Sequence, residues 1–521
     1  MADQTRLSRR HLLLAGGAGA TALFLPGVQL ARGASFAADP FSLGVASGDP
    51  WAHSVVLWTR LAPDPLALDG SGGMPAQAVP VRWEIAPDAG FRKVLRQGTA
   101  VARPEEAHTV HVEADGLSAD REYFFRFKVG GDVSPVGRTK TAPVAGARRP
   151  MTFAFASCQN FPAGQYAAYR DMAQQELDLV VHLGDYIYEG AGGTGPRAHA
   201  PAAEIKTLSD YRVRHAQYKT DPHLQAAHAV APWLVTWDDH EVQNNYADLE
   251  ADPDSPVDVF AARRAAAYQA YWEHMPLRRA QRPVGKDLPL FRRVSYGAMA
   301  TFHVLDTRQH RDDQPPACPP QESDANGGFC TEALREGRTI LGADQLDWLR
   351  SGLAGSRASW DVLAQQVPVA PLDQDADPAR KRFHNPDKWD GYAADRQRVT
   401  DALATVDGPV VITGDVHVNE VRDVPPSPAH LDAAPVATEF IGTSITSGGD
   451  RALSTQVDPD LANNPHRRLL DNHHGYVRCT LTARRFTADY RVVDTVLTDT
   501  APGRTLQTWV TERGKPGAVR A

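Results

Sequence analysis

Apolar runs that stop abruptly at short polar clusters recur along this chain. Met151 to Ala156, Leu177 to Val181, Trp233 to Thr236 and Val410 to Thr413 each read as a buried strand. They lead into Ser157-Cys158-Gln159, His182 to Glu189, Trp237 to Glu241 and Gly414 to His417. Further strands are predicted over 298–305, 359–363, 438–441, 476–481 and 486–493, and helical spacing over 165–176, 260–275 and 343–353. Strands alternating with helices predict an α/β fold, sheet on sheet inside and helices outside. Strand ends in such a sheet face one edge, so the polar clusters are expected to converge there.

Upstream the period changes. Val81 to Ile85 and Tyr123 to Val129 alternate polar with apolar, separated by Gly, Asp and Pro, as in a small fibronectin- or immunoglobulin-like β-sandwich. Trp51, Trp58 and Trp83 are expected in its core. The divisions expected are a signal over 1–37, the sandwich over 39–145, a catalytic domain over 150–500 and a tail over 501–521. Long polar stretches at 189–206 and 312–338 are expected to line a site.

The first residues read as an export signal. Arg9-Arg10 precede a short Gly/Ala-rich apolar stretch, Leu12 to Leu25, and Ser35-Phe36-Ala37 is a candidate cleavage site. The pattern predicts passage through the twin-arginine translocase to a secreted, periplasmic or cell-wall location. Cys318 and Cys330 flank a polar loop and are candidates for a disulfide, while Cys479 reads as a core position. A formal charge of −8 over 521 residues gives no basic field of the kind nucleic acids recruit.

The clusters carry metal-binding chemistry. A carboxylate at Asp185 can bridge two ions, and Asp415 and His417, two apart on an extended segment, point to one side. Tyr188 is by itself more often a packed residue, and Cys158 a buried core cysteine. Thiolate and phenolate on one sheet edge with Asp185, Asp239, Asp415 and His417 favour iron over zinc or magnesium. His240 is the candidate for touching phosphate or the leaving oxygen, the alternative being a hydrogen bond to a ligand. Asn244, Asn245 and Arg308 are candidate substrate contacts, although pairing of Arg308 and Arg311 with nearby carboxylates competes. Trp389 and Tyr392 are candidates for the pocket mouth or, equally, for ordinary packing, and His473-His474 for a further metal or a solvated turn.

Taken in order, Phe155 to Gln159, Leu183 to Glu189, Thr236 to Val242, Leu305 to Arg308, Leu341 to Leu349 and Gly414 to His417 resemble the PhoD-like alkaline phosphatases, within the calcineurin-like metallophosphoesterases. Ser157-Cys158-Gln159 stands where the wider superfamily has Asp-x-His, and Asp415 where it has a His. The resemblance implies a layered αββα catalytic domain and Fe(III) held by Cys158, Asp185, Tyr188 and His417. It also implies one or two Ca(II) ions on Asp185, Asp239 and Asp415, with Mg or Mn able to take their place. The implied activity is hydrolysis of small phosphomonoesters by metal-activated water, with His240 and Asp239 at the reacting centre. The alternatives are a phosphodiesterase or phospholipase D-type hydrolase acting on phospholipid or other diesters, and a non-catalytic phosphate- or metal-binding surface protein.

Overall fold

The computed structural model describes residues 35–193, 195–251, 255–375, 377–451 and 463–521; the export signal expected over 1–37 lies outside them except for Ser35, Phe36 and Ala37. Two large sheets form the centre. The ten-stranded sheet runs, in spatial order, Lys515–Arg520, Arg504–Glu512, Arg485–Val493, His474–Leu481, Met151–Ala156, Leu179–Leu183, Pro232–Thr236, Val45–Gly48, Ser54–Arg60, Thr109–Asp115. The seven-stranded sheet runs Arg292–Tyr296, Ala300–Val304, Trp360–Ala364, Pro409–Thr413, Ala437–Ile441, Asn419–Val424, Arg467–Asp471.

Met151–Ala156, Leu179–Leu183 and Pro232–Thr236 are mutually parallel and covered on both faces, which is why they read as unbroken apolar runs. One face packs on the second sheet: Phe153, Phe155, Val181 and Leu183 meet Phe302, Val362, Ile412 and Phe440, with the Phe153 and Phe302 rings edge to face at 5.2 Å. Each such fully buried side chain contributes about 1.5–3 kcal/mol. The opposite face of the ten-stranded sheet is covered by helices Leu208–Lys219, Pro222–Val230 and Val257–His274. Helices Ala343–Ala354 and Ala393–Leu403 cover the outer face of the seven-stranded sheet. The result is the expected αββα stack.

Local chemistry sets the helix ends. Thr207 and Asp210 form a reciprocal capping box before Leu208–Lys219. Asp221 caps Pro222–Val230, whose first residue is a proline that has no N–H to satisfy.

The N-terminal strands differ in connection from what alternation suggested. Arg96–Ala102, Val79–Ala86, Glu122–Val129 and Asp132–Val133, with Gly137–Lys140, form a separate five-stranded sheet. Its partner layer, Val45–Gly48, Ser54–Arg60 and Thr109–Asp115, belongs to the ten-stranded sheet, joined in parallel where Ser47 and Gly48 pair with Pro232 and Trp233. Val81, Ile85, Phe125 and Phe127 pack on Val45, Val55, Leu57 and Val112 between the two layers.

Trp58 is buried on the opposite face of its strand instead, against Ala216 and with its indole N–H donating to the Glu273 carbonyl. Trp83 is half-buried and covers Gly98, but Trp51 is 53% exposed under the Arg278 guanidinium. Its ring sits at the sheet edge, where a cation can cover it. Residues 501–521, expected as a tail, supply two strands instead; Trp509, Val510 and Ala518 bury their side chains. Cys318 and Cys330 are disulfide-bonded, and Cys479 is buried. Among the described residues no helix is long and apolar enough to cross a membrane.

Candidate metal centre

The polar clusters meet at the carboxyl ends of the parallel strands. Cys158, Asp185 and His417 present donor atoms within 4.8 Å of one another, and so do Asp185, Asp239 and His240. Asp185 is common to both groups. Tyr188 points its hydroxyl at Asp185 Oδ2 (2.9 Å) and lies 3.5 Å from His417 Nε2. The other oxygen, Asp185 Oδ1, is buried with no protein partner.

The backbone is bent to achieve this. Cys158, Asp185, Asp415 and His417 have φ of 60°, 55°, 67° and 58°, a left-handed region that costs non-glycine residues about 1–3 kcal/mol each. Gly184, at φ +106°, lets two strand exits touch: a Cβ there would fall 2.4 Å from the Asp238 nitrogen. Glu241 ties these exits together, its carboxylate accepting from the backbone N–H groups of Asp185 (3.1 Å), Tyr186 (2.6 Å) and Asp238 (2.9 Å). Ser447 donates to the Cys158 carbonyl (2.7 Å) and lies 2.6 Å from the Tyr188 hydroxyl.

The donor set is hostile to anions unless a cation joins it. Burial, and then the Asp185 charge, push the Cys158 thiol and the Tyr188 hydroxyl well above their ordinary ranges. Burial also raises the Asp185 carboxyl. His417 is kept neutral, down to about 3, by burial and by His240, which leaves a ring nitrogen free as a ligand. A sulfur, a phenol, an imidazole and a carboxylate with one unpartnered oxygen, all dry, fit a metal cation.

Around this core the predicted residues divide. His240 stacks on the Tyr188 ring at 4.1 Å and its Nδ1 lies 2.7 Å from Glu189 Oε2. Asn244 and Asn245 approach through their backbones: the Asn244 N–H donates to Glu189 and that of Asn245 to Asp239 Oδ2, each at 2.7 Å. Although burial opposes it, Arg308 and His240 hold the Asp239 carboxyl down to about 2. Asp415 faces Lys388, which also pairs with Asp387.

Arg308 is a correction to the expected substrate contact. Its side chain is fully buried, bonded through Nε to Asp238 (2.5 Å) and through Nη1 and Nη2 to Asp387 (2.6 and 3.1 Å). Every face of the guanidinium is thereby committed inside the protein. Arg311 likewise bonds Asp387 and Tyr392. Trp389 and Tyr392 are buried rather than at a pocket mouth, with the Trp389 indole N–H donating to Gln365. His473 is held by Asp471, and His474 by Ser444 and Gly449, so the pair forms no metal cluster among the described residues.

Glu189, Glu241, Asp387, Lys388 and Ser447 were not singled out from the sequence. Two of them lie inside the motifs. The signal for Ser447 is the small polar run Thr443 to Gly449 after strand Ala437–Ile441.

Comparison with known proteins places this geometry. The family model "PhoD-like phosphatase" matches residues 153–490, and "PhoD-like phosphatase, N-terminal domain" matches 27–143. Alkaline phosphatase D of Bacillus subtilis (strain 168) is 49% identical over 483 residues, 91% of this chain and 80% of that protein. A solved structure of PhoD superposes with a TM-score of 0.86 at 48% identity, over 94% of this chain and 93% of the other. The purple acid phosphatase PPD1 of yellow lupin (Lupinus luteus), at 12% identity, shares the fold, with a TM-score of 0.52 over 90% of this chain and 74% of its own.

Proposed function

This chain belongs to the PhoD-like phosphatase family, and we propose that it is an exported, metal-dependent alkaline phosphatase that releases phosphate from small phosphomonoesters. The observation that carries the reading is Asp185, shared between the Cys158–His417 group and the Asp239–His240 group as a two-cation site requires. In this reading Cys158, Asp185, Tyr188 and His417 hold Fe(III), the ion that thiolate and phenolate suit best. Asp185, Asp239 and Asp415 offer oxygens to one or two Ca(II) ions, with Mg or Mn as substitutes. Bound there, the cations supply neutralisation of the phosphate charge and acidify a water.

The chain's own residues prepare the place. Arg308 keeps Asp239 ionised, and Glu241 fixes the turn that aims Asp185. Glu189 orients the His240 ring, which Tyr188 supports from one face, so that the imidazole can meet phosphate or the departing oxygen. Buried walls keep bulk water from screening these charges. Passage through the twin-arginine translocase, which Arg9-Arg10 suggest, suits a protein that loads metal before it leaves the cytoplasm.

The test is Asp185→Ala in the full chain, assayed with elemental analysis and a visible spectrum. Loss of iron, of phenolate-to-iron colour and of at least about a thousandfold in kcat/KM is expected. Unchanged hydrolysis would reject the site. Assaying a monoester beside a phospholipid or other diester fixes the class, and a large diester preference would replace the monoester reading.

A further inference from the structure

A cavity of about 390 Å³ opens beside the metal centre, and its chemistry is unlike that of the centre itself. Its volume is within the range of sites for small molecules. The stacked rings of Tyr188 and His240 form one wall, Glu189, Gly190 and His199 a second, and Gly449 lies on the rim. Much of that lining is glycine and alanine, so backbone leaves the space open.

No lysine or arginine lines it among the described residues. Arg197 lies over the Phe161 ring at 3.6 Å and pairs with Asp221 at 2.7 Å, and Arg451 donates to the His417 carbonyl at 2.6 Å. His199 is buried with both ring nitrogens occupied, by the Gly190 carbonyl and the Tyr218 hydroxyl, each at 3.0 Å. Burial and Arg214 hold it neutral, down to about 3. The ionisable groups on the wall, Glu189 and His240, are paired with each other at 2.7 Å, and the carboxylate also accepts from the Asn244 N–H.

We propose that this cavity receives the alcohol portion of the phosphoester and selects uncharged, ring-sized alcohols over those bearing a second anionic group. The inference rests on the phosphatase reading above and specifies its substrate class. An aromatic or sugar-like ring finds π-faces and flat glycine backbone. A second phosphate or carboxylate would shed its water and meet the Glu189 carboxylate, with the nearby His240 already engaged by that same carboxylate.

Gly190 is the place to test this. A Cβ built there meets no atom within 4 Å, so a larger side chain enters the cavity without displacing the fold. In the metal-loaded full chain, Gly190→Phe should lower the ratio of kcat/KM for 2-naphthyl phosphate to that for ethyl phosphate by at least about tenfold. Gly190→Lys should raise the ratio for 4-carboxyphenyl over 4-carbamoylphenyl phosphate by a similar factor. Each ratio is internal to one preparation, so a partly unfolded variant does not disturb it. Ratios unchanged in both variants overturn the assignment. Turnover of none of these esters by the unaltered protein removes the phosphatase reading, and the cavity's role with it.

Discussion

Arg308 shows how a residue can look like a substrate contact and be something else. It follows a strand end beside the site, the position from which a guanidinium often grips phosphate. The structure spends it on Asp238 and on Asp387, 79 residues further along the chain, and no local pattern announces that partner. Arg308→Ala would leave the Asp238 carboxylate buried and unpaired, while Asp387 keeps Arg311 and Lys388, a loss of about 3–5 kcal/mol. Denaturant unfolding should therefore register the change as strongly as the assay does. Arg308→Lys should recover little, because an ammonium cannot bond both acids as a fork does. A rise in KM at unaltered stability would return Arg308 to the substrate. Cys158, Asp185 and His417 were legible for the opposite reason: each sits in a strand-exit cluster whose neighbours in sequence are also its neighbours in space.

At the scale of elements, legibility followed burial. Met151–Ala156 and Pro409–Thr413 lie inside parallel sheets and are apolar along their length, so their bounds could be read residue by residue. Arg504–Glu512 and Lys515–Arg520 lie at the outer edge, where strands carry arginine, glutamate and lysine on the open face and resemble a polar tail. They are structural nonetheless. Removing residues 501–521 would bare strand Arg485–Val493, eight of whose residues pair with Arg504–Glu512, and would uncover part of the core. The truncated protein should melt at least about 5 °C lower and self-associate on concentration, as light scattering would show. An unchanged melting temperature would mean the hairpin adds nothing.

Across the whole molecule, the buried histidines set an acid limit. Burial pushes His111 and His466 down to about 4 and His182 to about 3, and drives His215, His228 and His274 well below their ordinary range. Unfolded, these imidazoles take up protons near pH 6.5; folded, His111, His466 and His182 wait until about 3–4, and the other three stay neutral well below their ordinary range. In that window the unfolded chain binds more protons, so stability falls as pH falls, by up to about 1.4 kcal/mol per pH unit for each ring. Buried Asp238 and Glu241, pushed up to about 8, act in the opposite direction, so the rings are read by difference. In the metal-free protein His111→Phe should make any fall in melting temperature from pH 7 to pH 4.5 shallower, and an unchanged slope would contradict the burial of that ring.

The N-terminal β-region is joined to the catalytic fold by a shared sheet, because Ser47 and Gly48 pair with Pro232 and Trp233. Sequence alternation revealed the strands but not this seam, since pairing partners so distant leave no periodic trace. The connecting segment at 144–150, by contrast, is mostly exposed. A protease nick there should yield two fragments on a denaturing gel that nevertheless co-elute in native buffer, held by the unbroken ladder. What looks in outline like a bead on a string would behave as a peg driven into the block, and cutting the string would not free it.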